Sequence, residues 1–125
     1  MDMKKTILVV DDDQDVVESF TMILESAGYI VAAADSSDMC REMLKALKPD
    51  LIILDIMMET ITDGFNLGID LKEDPAYEAI PIVIVSSIEQ YTGFPIDTEY
   101  LKVDEFLEKP LQPSVLLDTI RKLTD

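Results

Sequence analysis

The chain has 125 residues, one domain's worth, and a chain of that size can bury roughly two thirds of the surface it exposes when unfolded. It carries 26 acidic residues against 10 basic ones, for a net charge of −16, and it has no histidine. That balance argues against nucleic acid and anionic lipid as partners, since both are bound by clustered Lys and Arg. The single cysteine, Cys40, cannot form an internal disulfide, and no apolar run approaches the ~20 residues of a membrane span.

At the N-terminus, Lys4 and Lys5 precede only the short run Ile7 to Val10, too short for the apolar region of a signal peptide. The expectation is a single cytoplasmic domain over residues 1–125 that folds without a structural metal. Residues 5–10, KTILVV, read as a buried strand that stops at Asp11-Asp12-Asp13. Val16, Val17, Phe20, Ile23, Leu24 and Ala27 then recur at helical spacing. Asp13 is the expected N-cap of this helix and Gly28 its C′ residue.

YIVAAA (29–34) reads as a second strand. Asp35 and Ser36 can cap a helix whose apolar face is Met39, Met43, Leu44 and Leu47, closed by Pro49. LIIL (51–54) is a fully apolar strand ending at Asp55. A shorter helix is predicted from Gly64 to Leu71, ending near Asp74-Pro75, with Phe65, Leu67 and Ile69 as its apolar positions. PIVIV (81–85) is another apolar strand, ending at Ser86-Ser87. Residues 104–107, DEFL, read as a weak final strand. Pro113 suits the first turn of a last helix with Val115, Leu116, Ile120 and Leu123 on one face.

Strands alternating with amphipathic helices imply an α/β fold, a parallel sheet covered on both sides. Alternation also asks for a fourth helix in residues 88–103. Gly93 and Pro95 sit in the middle of that segment and disfavour a helix interior, Pro by ~3 kcal/mol. The segment therefore reads as a loop or a turn or two, with the fourth helix irregular or missing.

Ligands of such sheets bind beyond the C-terminal ends of the strands. Those ends carry Asp11 and Asp12, Asp55, Ser86 and, before Pro110, Lys109. Two like charges ~4 Å apart repel by about 4 kcal/mol at an effective dielectric constant near 20. A hard divalent cation removes that cost, and Mg²⁺ suits a site offering a few carboxylates, waters and phosphate oxygens. Asp55 is then a candidate carboxylate nucleophile, with Lys109 as a point charge and Ser86 as a hydroxyl donor for a transferring phosphoryl group. With no histidine in the chain, any phosphohistidine donor lies on a partner.

Five segments carry a resemblance: ILVVDDD (7–13), PDLIILDIMM (49–58), DGF (63–65), IPIVIVSS (80–87) and FLEKP (106–110). Together, in this order, they resemble the receiver domain of bacterial two-component response regulators. The resemblance implies a flavodoxin-like doubly wound sheet of five parallel strands in the order 2-1-3-4-5. It implies Asp55 as phosphoacceptor, Asp11, Asp12, Asp55 and the backbone carbonyl of Met57 as Mg²⁺ ligands, Ser86 as switch hydroxyl and Lys109 as phosphate-pairing lysine. Phe106 stands where the family usually has an aromatic switch residue; plain core packing is an equal reading. The implied partners are a sensor histidine kinase or histidine phosphotransfer protein, and a downstream protein. The implied self-catalysis is phosphorylation from donors and autodephosphorylation by water.

Some positions depart from the family pattern. Glu59 replaces a usual proline, one extra residue lies before Asp63-Gly64, and Ser87 replaces a usual alanine. In the family, the helix at 88–103 and its neighbouring strand form the usual output and dimer face; its loss leaves the standard dimer an open question, and ordering of this segment on phosphorylation is one reading. Met57 and Ile88, two residues beyond Asp55 and Ser86, are bulky and apolar and are expected to slow water attack. A pseudo-receiver that binds protein without phosphorylation is the alternative. An unrelated enzyme or flavin carrier on the same fold is a third reading. Against that third reading, there is no phosphate-binding loop after strand 1 and no second Asp two residues after Asp55.

Overall fold

The computed structural model describes residues 4–55, 61–87, 104–109 and 111–124. In chain order the elements are β1 (Thr6–Val10), α1 (Gln14–Ser26), β2 (Ile30–Ala34), α2 (Ser37–Leu44), β3 (Leu51–Asp55), α3 (Ile61–Glu73), β4 (Ile82–Ser87), β5 (Glu105–Lys109) and α4 (Pro113–Thr124). The five strands are all parallel and lie in the order β2-β1-β3-β4-β5, as the resemblance implies. The chain winds from β1 outward to β2, then returns to the other side of β1 as β3. That reversal opens a crevice at the C-terminal ends of β1 and β3.

The near-continuous apolar strands follow from this topology, because a central parallel strand is covered on both faces. Alternate residues serve two separate apolar layers. Ile7, Val9, Leu51, Ile53, Val83 and Val85 face Val17, Phe20 and Leu24 of α1 and Leu116 and Ile120 of α4. Leu8, Val10, Ile52, Leu54, Ile82 and Ile84 face Cys40 and Leu44 of α2 and Leu67 and Leu71 of α3. Each strand residue in these two sets is fully buried.

Helix ends follow their sequence signals. The Asp13 carboxylate accepts from the Asp15 amide at 3.0 Å and caps α1. At the other end, the Tyr29 amide donates to the Leu24 carbonyl and the Gly28 amide to the Glu25 carbonyl, both at 3.0 Å. This is the paired bonding of a Schellman cap, and it requires Gly28 at φ 94°. Ser36 caps α2 by accepting from the Met39 amide at 3.1 Å. Pro113 occupies the first position of α4.

Three boundaries differ from expectation. α2 ends at Leu44 rather than near Pro49, and the chain continues in turns in which the Lys45 and Ala46 amides donate three residues back. Leu47 still packs on the core from beyond the end of the helix, its amide donating to the Met43 carbonyl at 2.8 Å. α3 begins at Ile61, three residues before Gly64, so it carries Gly64 and Gly68 within it. The ~1 kcal/mol that each interior glycine costs is offset by the buried residues Leu67 and Leu71 farther along the helix. β5 runs over Glu105–Lys109 rather than 104–107, because its pairing with β4 carries on to Ser87. On α4, Val115 is exposed, and Leu116 and Ile120 supply the buried face. The irregular helix expected in 88–103 lies outside the described residues.

At the N-terminal edge of the sheet, Lys72 near the end of α3 donates to the Asp104 carboxylate at 2.7 Å and to the Ile80 carbonyl at 2.8 Å, with the Glu78 carbonyl at 3.3 Å. Among the described residues no helix is long and apolar enough to cross a membrane.

Candidate functional site

Asp11 is the first residue past β1, and its amide extends the ladder by donating to the Ala34 carbonyl at 3.0 Å. Its Oδ1 accepts from the Asp13 amide at 2.9 Å, turning the chain toward α1. The acidic triplet thus divides its labour. Asp11 shapes the turn, Asp13 caps the helix, and Asp12 is left exposed between them.

Asp55 is the last residue of β3. Val10 pairs with Leu54, so Asp11 and Asp55 each stand one residue further along neighbouring strands. Both are buried, Asp11 at 1% and Asp55 at 5% exposure. One carboxylate oxygen from each of Asp11, Asp12 and Asp55 lies within 4.8 Å of the others. The acids picked from sequence therefore do come together, at the crevice where the topology predicts a ligand.

Ser86 and Lys109 are placed here by their backbones. Asp55 pairs with Val85, which pairs with Leu107, so the three form one row across the sheet. Ser86 is one residue past that row on β4, and Lys109 two residues past it on β5. With strands ~4.8 Å apart and ~3.3 Å per residue, the Cα atoms of Asp55 and Lys109 are roughly 12 Å apart. Met57, Glu59 and Ile88 lie outside the described residues.

A cleft of about 210 Å³ opens beside Asp11, lined also by Gln14, Val17, Ala33, Ala34, Asp35 and Met39. Gln14 and Asp35 were not picked out as site residues from sequence. Asp35 directly follows β2, and Gln14 opens α1 four residues past β1; for Asp35 that position was the available signal. Phe106 is partly buried and packs on the layer formed by α2 and α3. Cys40 is fully buried, and desolvation pushes its thiol up to about 11, with Arg41 pulling weakly the other way. It is a core residue rather than a reactive one.

A model of the response regulator receiver domain matches residues 7–121 of this chain, nearly its whole length. The chain is a response regulator receiver domain. The receiver is 32% identical over 117 residues to the phosphate regulon transcriptional regulatory protein PhoB of Pseudomonas aeruginosa, covering 94% of this chain and 50% of that protein. It is 33% identical over 122 residues to the response regulator PleD of Caulobacter vibrioides, covering 98% of this chain and 26% of that protein. The receiver thus spans half or less of the length of these curated relatives. Among solved structures it is similar to a response regulator from Chloroflexus aurantiacus, with TM-score 0.88, 26% identity and 98% of both chains covered. It is also similar to a CheY-like receiver domain protein from Methanospirillum hungatei, with TM-score 0.80, 25% identity, and 97% and 94% of the two chains covered.

Proposed function

We propose that the receiver accepts a phosphoryl group on Asp55 with Mg²⁺ held beside it, and signals through the resulting change. The observation that carries this reading is the buried Asp11–Asp55 pair with Asp12 within 4.8 Å. Receiver domains bind Mg²⁺ in an acidic pocket. Three carboxylate oxygens converging in one crevice are a donor set of the kind a hard divalent cation takes, leaving the rest of its shell to water and phosphate. Asp11, Asp12 and Asp55 would hold the ion, with the Met57 carbonyl as a further ligand. When bound, it supplies positive charge against the phosphoryl oxygens.

The chain's own residues do the rest. A carboxylate oxygen of Asp55 attacks the donor phosphorus and forms a new P–O bond. The bond from phosphorus to the donor breaks, and its electron pair leaves with the donor group. Lys109 at the end of β5 balances charge on the phosphoryl oxygens, and Ser86 donates its hydroxyl to one of them. The row geometry supports these roles: a gap of roughly 12 Å between Cα positions is one that two side chains and a phosphoryl group between them can fill. Water later attacks the phosphorus, the bond from phosphorus to the Asp55 oxygen breaks, and inorganic phosphate leaves with the Asp55 carboxylate restored.

Receiver domains interact with histidine kinases or phosphotransfer proteins. These 125 residues contain no histidine, so the phosphoryl group comes from a phosphohistidine outside them or from a small acyl phosphate. The test is intact mass after incubation with Mg²⁺ and acetyl phosphate. One added phosphoryl group is expected, lost without metal and in Asp55→Ala. No added mass on the folded, metal-supplied protein would overturn the proposal and favour a receiver that binds its partner without phosphorylation.

A further inference from the structure

The β4–β5 pair must be in register for Lys109 to serve Asp55, yet the two strands are joined through residues 88–103, too long a connection to fix a register by itself. The structure places a fastening at the opposite end of the pair. The Asp104 amide donates to the Ile82 carbonyl at 3.0 Å, and the Ile82 amide donates back to the Asp104 carboxylate at 2.9 Å. The same carboxylate oxygen accepts from Lys72 at 2.7 Å. The Lys72 side chain is only 9% exposed, and it also holds the Ile80 carbonyl at 2.8 Å just before β4. One ammonium thus ties the end of α3, the start of β4 and the start of β5.

We infer that Lys72 and Asp104 are positioning residues for phosphorylation: together they set the register of β5 on β4 that delivers Lys109 to the acidic crevice at the far end of the sheet. This rests on the role proposed above for Lys109. The physical reason is the period of a strand. A slip of one residue moves every side chain of β5 to the opposite face, and the sheet's edge strand is held on one side only. Surface pairs contribute little. Here the Lys72 side chain is shielded while Asp104 is exposed, and the Asp104 oxygen is shared with a backbone amide, so losing either partner leaves a backbone group or an ion unsatisfied. The carboxylates proposed to hold Mg²⁺, at the far ends of β1 and β3, do not depend on this fastening. A register role therefore makes a prediction that general loosening does not.

The experiment compares wild type with Lys72→Met, Lys72→Arg and Asp104→Asn. Asp104→Asn keeps an acceptor for the Ile82 amide and removes only the charge, so it serves if Lys72→Met does not fold. Three quantities are read: Mg²⁺ affinity by titration, phosphorylation rate from acetyl phosphate at saturating Mg²⁺, and amide exchange of residues 105–109. Lys72→Met is expected to phosphorylate roughly tenfold more slowly, as displaced catalytic groups do. Its Mg²⁺ affinity should be unchanged, exchange in β5 should be faster, and Lys72→Arg should recover most of the rate. A folded Lys72→Met or Asp104→Asn that phosphorylates at the wild-type rate overturns the inference, and so does a parallel fall in rate and Mg²⁺ affinity. If wild type itself takes no phosphoryl group, the functional proposal fails separately. Exchange in β5 then decides the fastening alone, and unchanged protection in Lys72→Met refutes it.

Discussion

Asp11→Asn should stabilise the receiver when metal is withheld. Asp11 and Asp55 are both buried, and their oxygens lie within 4.8 Å. Two full charges at that separation repel by about 3.5 kcal/mol at an effective dielectric constant near 20. A lysine at the same edge offsets part of this, so the net relief from removing one charge is about 1–2 kcal/mol. The substitution keeps the turn, because the asparagine carbonyl can still accept from the Asp13 amide as Asp11 Oδ1 does. For a chain of 125 residues, that relief corresponds to a rise in Tm of roughly 3–10 °C. The assay is a thermal melt in EDTA, repeated in Mg²⁺. Wild type should gain about 1.4 kcal/mol at tenfold its Kd for the ion. The variant should gain far less, so the order of the two melting curves converges or reverses on adding metal. A metal-free variant that melts at or below wild type, or an equal Mg²⁺ gain in both proteins, would refute the argument that the acids form one repulsive site relieved by a cation.

Other outcomes follow from the same structure. Cys40 has its thiol raised from 9.0 to about 11 in the folded state. The unfolded thiol ionises first, so this contribution to stability is complete below pH 9 and is lost as pH rises toward 11. In urea titrations at pH 8 and pH 10.5, wild type should lose on the order of 1–2 kcal/mol more than Cys40→Ala. An equal loss in both would show that the thiol is not protected. Gly28→Ala meets no heavy atom within 4 Å, so its cost of about 1–2 kcal/mol comes wholly from the backbone at φ +94°. Asp13→Ala should cost about 1 kcal/mol through the lost cap, read as a shifted midpoint in urea. Replacing Met57 and Ile88 together with polar residues should shorten the lifetime of the phosphoryl group followed by mass; an unchanged decay would dissociate these positions from water access.

Strands and caps were legible because short-range physics decides them. Four-residue apolar runs cannot be solvated, and Asp13, Gly28 and Pro113 each satisfy a backbone requirement that few other residues meet. The acidic crevice was legible for a related reason: Asp11 and Asp55 directly follow such runs, and a parallel sheet brings strand ends to one edge. The extent of α2 and α3 was not legible. Leu47 keeps an apolar spacing that suits a helix or a turn equally well. Gly64 looks like a start signal but lies inside a helix secured by Leu67 and Leu71. Lys72 and Asp104, separated by 32 positions, gave no local sign of their contact.

The two apolar layers have a consequence for which length changes the domain can accept. Asp11 and Asp55 stand two residues beyond Val9 and Ile53, and both of those belong to the layer shared with α1 and α4. The crevice acids therefore inherit their side of the sheet from a count of residues, and that count is odd or even with nothing between. One residue inserted or deleted within Leu51–Leu54 would send Asp55 to the α2 and α3 side, away from Asp11, and turn half of that strand's core inside out. Segments beyond the strand ends carry no such parity. Loop lengths around the crevice can thus change without turning the acids to the wrong face, while the spacing inside β1 and β3 acts as a fixed ruler.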